Sequence, residues 1–374
     1  MKILFVDSYY QKFLDSFKKN NPNISNLSYK EYKEKLFSTF FGTSDFYSYN
    51  LTKLGYLADD IVLNHEILQK KWAEENGIEI EDNRIISKLQ LLPFAYRFLG
   101  KPKWIQEIAL AQIKKYQPDV IYMQDLSILN LKTLVKVKKY CKLLVGQIAC
   151  PLPPKDYLKS FDLIITSFPH YVKKFKKMGI RSEYQKLAFE PRILKKIKKQ
   201  KRIYDVTFVG SFTPYHSEGT KTLEEVAKSI PVHVWGQGIE FLSPISPLRK
   251  NYHGEAWGLE MYKILSQSKI VINRHISVSN NYANNMRLYE ATGVGAMIIT
   301  DKKKNLGDLF KVGQEVIEYS DSKDLIKQIK YYLTHESERE IIAKAGQKKT
   351  LKDHNYLIRM SELVKLIKKA NETV

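Results

Sequence analysis

"NNMRLYEATGVGAMIITD", residues 284–301, decides the fold. An asparagine at 284 or 285 can cap a short helix, Gly293 and Gly295 end it, and the apolar run that follows reads as a buried strand. A short helix leading straight into a strand with no polar face predicts a parallel sheet covered on both sides. Arg287 and Glu290 stand three residues apart and share one helix face. Free in water they would be an ordinary ion pair of little consequence. Packed beside a central strand, the guanidinium can neutralise a phosphate and the carboxylate can accept both hydroxyls of a ribose.

The same alternation extends in both directions. Downstream, "VGQEVIEYS" (312–320) and "SKDLIKQIKYYLTH" (322–335) repeat strand and helix, and 337–370 reads as helical throughout. Upstream, "DVTFVGSF" (205–212), "TKTLEEVAKSI" (220–230), "PVHVWGQG" (231–238) and "SKIVIN" (268–273) complete one α/β unit. A second such unit occupies the first half. "KILFV" (2–6), a helix over 44–56, "ADDIVLN" (58–64), a helix-rich stretch from about Glu81 to Tyr116, "DVIYMQD" (119–125), a helix over 126–140, "KLLVGQIA" (142–149) and "FDLIITS" (161–167) follow in turn. Between the halves "PRILKKIKKQKR" (191–202) carries seven basic residues in the eleven from Arg192, the mark of a boundary or a surface helix. The expected organisation is an N-terminal domain over 1–190, a basic linker over 191–204, a second domain over 205–352 and a terminal helix over 353–374. Two Rossmann-type halves predict a cleft at the carboxyl edges of their strands.

Composition bounds the function. The 374 residues, 44% of them hydrophobic, suffice for two cores. Lys and Arg number 61 against 40 Asp and Glu, a formal charge of +21 that favours anionic partners without choosing among them. No apolar run reaches the ~18 residues of a membrane-spanning helix, and the N-terminus lacks a signal-peptide apolar region, so a cytoplasmic protein is expected. Cys141 and Cys150, the two cysteines, sit in apolar surroundings and read as core thiols.

Candidate binding groups gather where strands end. Gly210 and Ser211 follow the 205–209 strand, where the lack of bulk lets backbone N–H groups approach a phosphate. Gly236 repeats that arrangement, and Asn273, Arg274 and His275 close "SKIVIN" with polar side chains. Asn285, Arg287 and Glu290 come from the opening stretch. In the first half, Asp125 ends "YMQD" at a strand terminus and is the candidate catalytic base, with helix capping as its other reading; Asp7 and Asp45 are further candidates.

These blocks carry a resemblance. "VTFVGSFTPYHS" (206–217), "MYKILSQSKIVINRH" (261–275), "YANNMRLYEATGVGAMIITD" (282–301) and "NLGDLF" (305–310) resemble the donor-binding domain of bacterial GT-B glycosyltransferases, in the spore-maturation-protein-like branch of the glycosyl transferases group 1. "FFGTSDFYSYNLTKLGY", "VIYMQD" and "GQIACPLPP" extend the likeness into the first half. The resemblance implies two facing Rossmann-like domains, a nucleotide-diphosphate sugar held mainly by the second and an acceptor by the first, with the terminal helices crossing back to the first domain. It places Glu290 on the nucleotide ribose, and Arg287 with the backbone of Gly210 and Ser211 near the diphosphate. Many retaining relatives have a second Glu eight positions before the ribose-binding one; Tyr282 stands there, which leaves the stereochemical course open.

The chain holds no Asp-x-Asp, so a metal-independent enzyme with no cofactor beyond its donor is expected. Basic and aromatic residues interleave with apolar ones over 84–116, as in a helix lying on anionic lipid or in one packed in a core. The expected partners are therefore a nucleotide sugar and a glycan or lipid-linked acceptor, with peripheral contact at the inner face of a membrane and a role in cell-surface polysaccharide synthesis. A nucleotide-sugar epimerase of the same fold and a basic nucleic-acid-binding protein are the alternatives, the latter without a compact nucleic-acid motif to support it.

Overall fold

A computed structural model describes residues 1–80 and 101–372. The chain forms two compact units. Unit 1 comprises Met1–Gln185 together with the chain from Met360 onward, and unit 2 comprises Lys186–Arg359.

Unit 1 runs β1 (Lys2–Asp7), α1 (Gln11–Asn20), α2 (Tyr29–Phe37), α3 (Phe46–Lys53), β2 (Leu57–Val62), α4 (Glu66–Glu75), α5 (Lys103–Tyr116), β3 (Val120–Met123), α6 (Leu131–Val137), β4 (Leu143–Gln147), α7 (Lys155–Leu158), β5 (Leu163–Thr166), α8 (Pro169–Lys177) and β6 (Ser182–Tyr184). Its strands pair in parallel in the order β2-β1-β3-β4-β5-β6. From β1 the chain winds out to β2, then returns to the other side of β1 at β3. The winding reverses between β1 and β3, which opens a crevice at their carboxyl ends.

Unit 2 runs α9 (Arg192–Ile197), β7 (Tyr204–Val209), α10 (Ser217–Ala227), β8 (His233–Trp235), α11 (Gly258–Ser266), β9 (Ser268–Asn273), α12 (Met286–Gly293), β10 (Met297–Asp301), β11 (Ile317–Tyr319), α13 (Ser322–Thr334) and α14 (Glu336–Asp353); α15 (Tyr356–Asn371) starts here and ends in unit 1. The order β11-β10-β9-β7-β8 is again all parallel, with its reversal between β7 and β9. Ile270, Val271 and Ile272 are each buried, as a strand covered on both faces requires.

Several elements differ from the sequence expectation, each for a local reason. The helix expected over 126–140 starts only at Leu131, because the Asn130 side chain accepts from Thr133 N at 2.8 Å and caps it there. The helical run 337–370 breaks at His354, whose ring is buried and bonded to the Leu309 carbonyl at 2.8 Å. The stretch 191–204, expected as a linker, contributes α9, and Ile193 and Ile197 bury into the unit while Arg192 lies 3.1 Å from the buried Glu190 carboxylate. Both cysteines are free and neither is in the core: Cys141 is only partly buried, just before β4, and Cys150 is exposed in the proline-rich loop after it. Part of the segment read as an interfacial helix, 84–100, lies outside the described residues; its remainder is α5, which buries Trp104, Ile105, Ile108 and Ile113.

Candidate functional site

In unit 2 the expected residues converge on the β7/β9 reversal. Asn285 is the helix cap: its Oδ1 accepts from Leu288 N at 3.3 Å, so of the two asparagines the second caps α12. Its Nδ2 donates to Arg274 O at 3.0 Å and to Asn273 Oδ1 at 2.8 Å, which fastens the helix start to the end of β9. Asn273 in turn donates to Thr300 Oγ1 at 2.9 Å, carrying the tie across to β10.

One turn into α12, Arg287 Nη1 lies 2.8 Å from Glu290 Oε2. The Arg287 Nε donates to Val209 O at 3.0 Å and its Nη2 reaches Met261 Sδ at 3.1 Å, so this side chain joins α12 to the last residue of β7. The Glu290 carboxylate is buried, and its Oε1 accepts from Tyr262 OH at 3.3 Å. Burial first, and the Glu290 charge next, push the Tyr262 phenol well above its ordinary range, so it stays a donor. A carboxylate has room for about four hydrogen bonds. Arg287 and Tyr262 occupy one position on each oxygen and leave each able to accept another.

Gly210 and Ser211 follow β7 as expected, in a loop whose shape comes from outside it. Arg274 donates from Nη1 to His216 O at 2.9 Å and from Nη2 to Ser211 O at 3.0 Å, with its guanidinium 5.0 Å from the Phe208 ring centre and 5.7 Å from that of Phe212. Burial lowers its pKa to about 10, which still leaves it charged at neutral pH. Arg274 therefore braces the loop with the donors that the sequence offered for a ligand. Gly236 serves the same loop by close approach. Its φ is +141°, and a Cβ there would lie 1.8 Å from Gly210 O, inside any contact distance.

His275, at the β9 end, is oriented by a partner from β10. Its Nδ1 lies 2.6 Å from Asp301 Oδ1, and Lys303 Nζ is 3.0 Å from the other Asp301 oxygen. Burial raises the Asp301 pKa, but the His275 hydrogen bond, the charge beside it and Lys303 outweigh burial and hold it at about 2. An ionised acceptor at Nδ1 fixes a proton there and turns Nε2 outward from the dyad. The His275 side chain is 1% exposed, and its Nε2 has no partner among the described residues.

Asp125 lies in unit 1 at the β1/β3 reversal. Its Oδ2 accepts from Ser8 Oγ at 2.5 Å, and its Oδ1 accepts from Ser127 N at 2.8 Å and Ser127 Oγ at 2.7 Å. Asp125 thus shapes the turn after β3, while Asn130 does the capping of α6.

Sequence reasoning missed Tyr262, Met261, Asp301 and Lys303, because a contact between neighbouring strands or helices leaves no local spacing. Asp301 had one legible sign, a carboxylate closing the apolar strand "MIITD". Among the described residues no group of three or more His, Cys, Asp or Glu side chains is arranged to hold a metal ion, and no helix is long and apolar enough to cross a membrane.

Residues 193–365 match a family model described as Glycosyl transferase-like. No curated protein matches the chain. The whole chain superposes on solved glycosyltransferases of low identity. Anabaena Alr3699/HepE, solved in complex with UDP and glucose, matches at a TM-score of 0.59 and 13% identity over 99% of this chain and 100% of that one. Sucrose-phosphate synthase from Thermosynechococcus elongatus matches at 0.57 and 10% over 100% of both chains. The β-glucosyltransferase of phage T4 matches at 0.53 and 14% over 99% of both. The fold is that of GT-B glycosyltransferases, and a little under half of the chain matches the glycosyl-transferase-like family model. The matched stretch lies in unit 2 except for its last six residues, which belong to α15 beyond Arg359.

Proposed function

We propose that this protein is a glycosyltransferase, moving a sugar from a nucleoside-diphosphate sugar, held by unit 2, to an acceptor hydroxyl without the help of a metal ion. The observation that carries the reading is the buried Glu290 carboxylate, fixed by Arg287 and Tyr262 and still able to accept two hydrogen bonds. Two neighbouring ribose hydroxyls match that capacity. The α12 N-terminus offers backbone N–H groups to the diphosphate, and His275 Nε2 is a buried polar atom free to meet the donor. Stabilising the departing diphosphate is the main electrostatic task of such a transfer. Synthesis of a cell-surface glycan at the inner face of a membrane is the setting that suits the basic surface, which includes the four exposed lysines Lys173, Lys174, Lys176 and Lys177 of α8.

Calorimetric titration of the native chain and of Glu290→Gln with UDP, GDP, ADP, CDP and dTDP tests the donor site. UDP leads the panel because the Anabaena structure holds it. The expected result is binding of one nucleotide near micromolar Kd, weakened about tenfold or more, or ~1.4 kcal/mol, in the variant. Binding of none, or binding indifferent to Glu290, overturns the reading.

A further inference from the structure

The amino end of the unit 2 sheet, away from the donor residues, carries a pair of histidines that the donor site does not use. His233 opens β8, the edge strand beside β7. His253 lies in the stretch 251–254, which runs alongside that strand. Val234 and Tyr252 form a parallel bridge, His253 N donates to Val234 O at 2.9 Å, and Gly236 N donates to Gly254 O at 2.9 Å. These bonds fix both backbones, and His233 Nδ1 and His253 Nε2 face each other at 2.9 Å.

Aromatic rings hold the pair in place. Trp235, itself buried, stacks on the His253 ring at 4.5 Å with 19° between the planes, and Tyr204 lies against His233 at 5.0 Å. The Tyr204 and Trp235 rings also meet, at 5.0 Å, so the four rings form one cluster. Solvent still reaches both imidazoles, since His253 is exposed and His233 half-buried. Thr207 is the pairing partner of His233, which puts Asp205, two residues earlier on β7, on the same face. Its exposed carboxylate is bonded to Lys269 Nζ at 2.6 Å and still acts on the His233 ring, favouring positive charge there.

A neutral imidazole has one N–H, so in this contact one facing nitrogen donates and the other accepts. When that hydrogen moves to the outer nitrogen of its own ring, two lone pairs are brought together by two fixed backbones. Paired imidazoles suit zinc, copper and nickel ions, whereas magnesium and calcium take oxygen ligands. Two nitrogens at about 2.0–2.1 Å from a tetrahedral zinc ion stand roughly 3.3 Å apart, so the rings need to part by about half an ångström and tilt. His253 can make that shift, being exposed and followed by Gly254, where an added Cβ would have nothing within 4 Å.

We propose that His233 and His253 form a binding site for a divalent transition ion of the zinc class, which clamps the stretch 251–254 to the edge of the unit 2 sheet. The solvent side of the pair leaves room for water as the remaining ligands. The site goes beyond the proposed transfer and takes no part in its chemistry. Its reach into unit 2 is mechanical: Tyr252 OH donates to Gly236 O at 2.8 Å, and Gly236 packs against the Gly210 carbonyl, so the clamped stretch is the one that supports the Gly210 loop.

Calorimetric titration of the full, untagged chain, first stripped with a chelator, uses zinc sulfate, nickel chloride and magnesium chloride as probes. The expected result is one equivalent of zinc bound with a Kd in the micromolar range, nickel bound at the same site and magnesium not bound. His233→Gln and His253→Gln should each weaken zinc binding about tenfold or more. Zinc should also raise the thermal unfolding midpoint of the native chain and leave that of His253→Gln where it was. The double variant Cys141→Ser, Cys150→Ser removes both thiols and should bind zinc as the native chain does. Because His253 is exposed, His253→Gln keeps the fold and carries the test should His233→Gln fail to fold. No zinc binding, binding indifferent to both histidines, or binding lost with the thiols overturns the proposal. Nucleotide is absent throughout, so the donor reading stands or falls separately.

Discussion

Asn273 and Asn285 exchange hydrogen bonds through their side-chain amides, at 2.8 Å from Asn285 Nδ2 and 3.2 Å from Asn273 Nδ2. The pair couples the end of β9 to the start of α12, so the cap of one helix also sets the distance between two parts of the proposed donor site. Asn285→Ala removes the cap and the coupling at once. Chemical denaturation should show a loss of about 1–2 kcal/mol in the unit 2 transition. A change of a few tenths would mean that the helix start is held by other contacts.

Gly236→Ala should be among the most damaging single-methyl additions in unit 2. The new Cβ meets the Gly210 carbonyl oxygen, and the backbone sits at φ +141°. We expect a loss of at least about 3 kcal/mol in thermal unfolding. Gly307→Ala is the control, with nothing within 4 Å of its new methyl, and should stay within about 0.5 kcal/mol of native. Equal effects of the two would reject the close-approach argument.

Acid should weaken unit 2 through His354. Burial pushes its pKa down to about 4, against the opposing pull of its bond to Leu309 O and with help from the Arg359 charge. The folded value lies below the unfolded ~6.5, so the unfolded chain binds the proton first and stability falls as pH drops from about 6.5 towards 4. Between pH 7 and 5 the loss is about 2 kcal/mol. His354→Gln should flatten that slope, and an unchanged slope would assign it to another group.

Asp7 produces the opposite slope in unit 1. Its folded pKa of about 7 exceeds the unfolded ~3.9, so its favourable contribution holds below about 4 and is lost as pH rises through 7. Asp7→Asn should therefore stabilise unit 1 at pH 8 by about 1–3 kcal/mol and hardly at all at pH 4. A variant less stable than native at pH 8 would contradict this.

The fold was largely legible because each strand of a parallel sheet is a short apolar run and each crossover helix has its own period. The residues singled out in the second half do come together at one reversal, since strand termini are visible in sequence. Their division of labour was not. Arg274 and Arg287 look equivalent in the sequence, yet Arg274 is tied to the carbonyls of Ser211 and His216 and Arg287 to a buried carboxylate. Asp125 ends "YMQD" at a strand terminus, and nothing in the sequence shows that Ser8, 117 positions away, donates to it.

The chain leaves unit 1 at Gln185 and returns at Met360, bringing α15 with it. There Arg181 donates to the carbonyls of Lys369 and Ala370 at 2.9 Å each, closing the end of that helix, and Leu363 and Ile367 are fully buried. During synthesis the six-stranded sheet of unit 1 is therefore complete while the helix that finishes its core has yet to be translated. For the time the ribosome takes to make some 170 intervening residues, about 10–30 s at usual elongation rates, the nascent sheet must wait with that apolar surface bare. The N-terminal unit is begun first and finished last, and the interval is when a chaperone would find it.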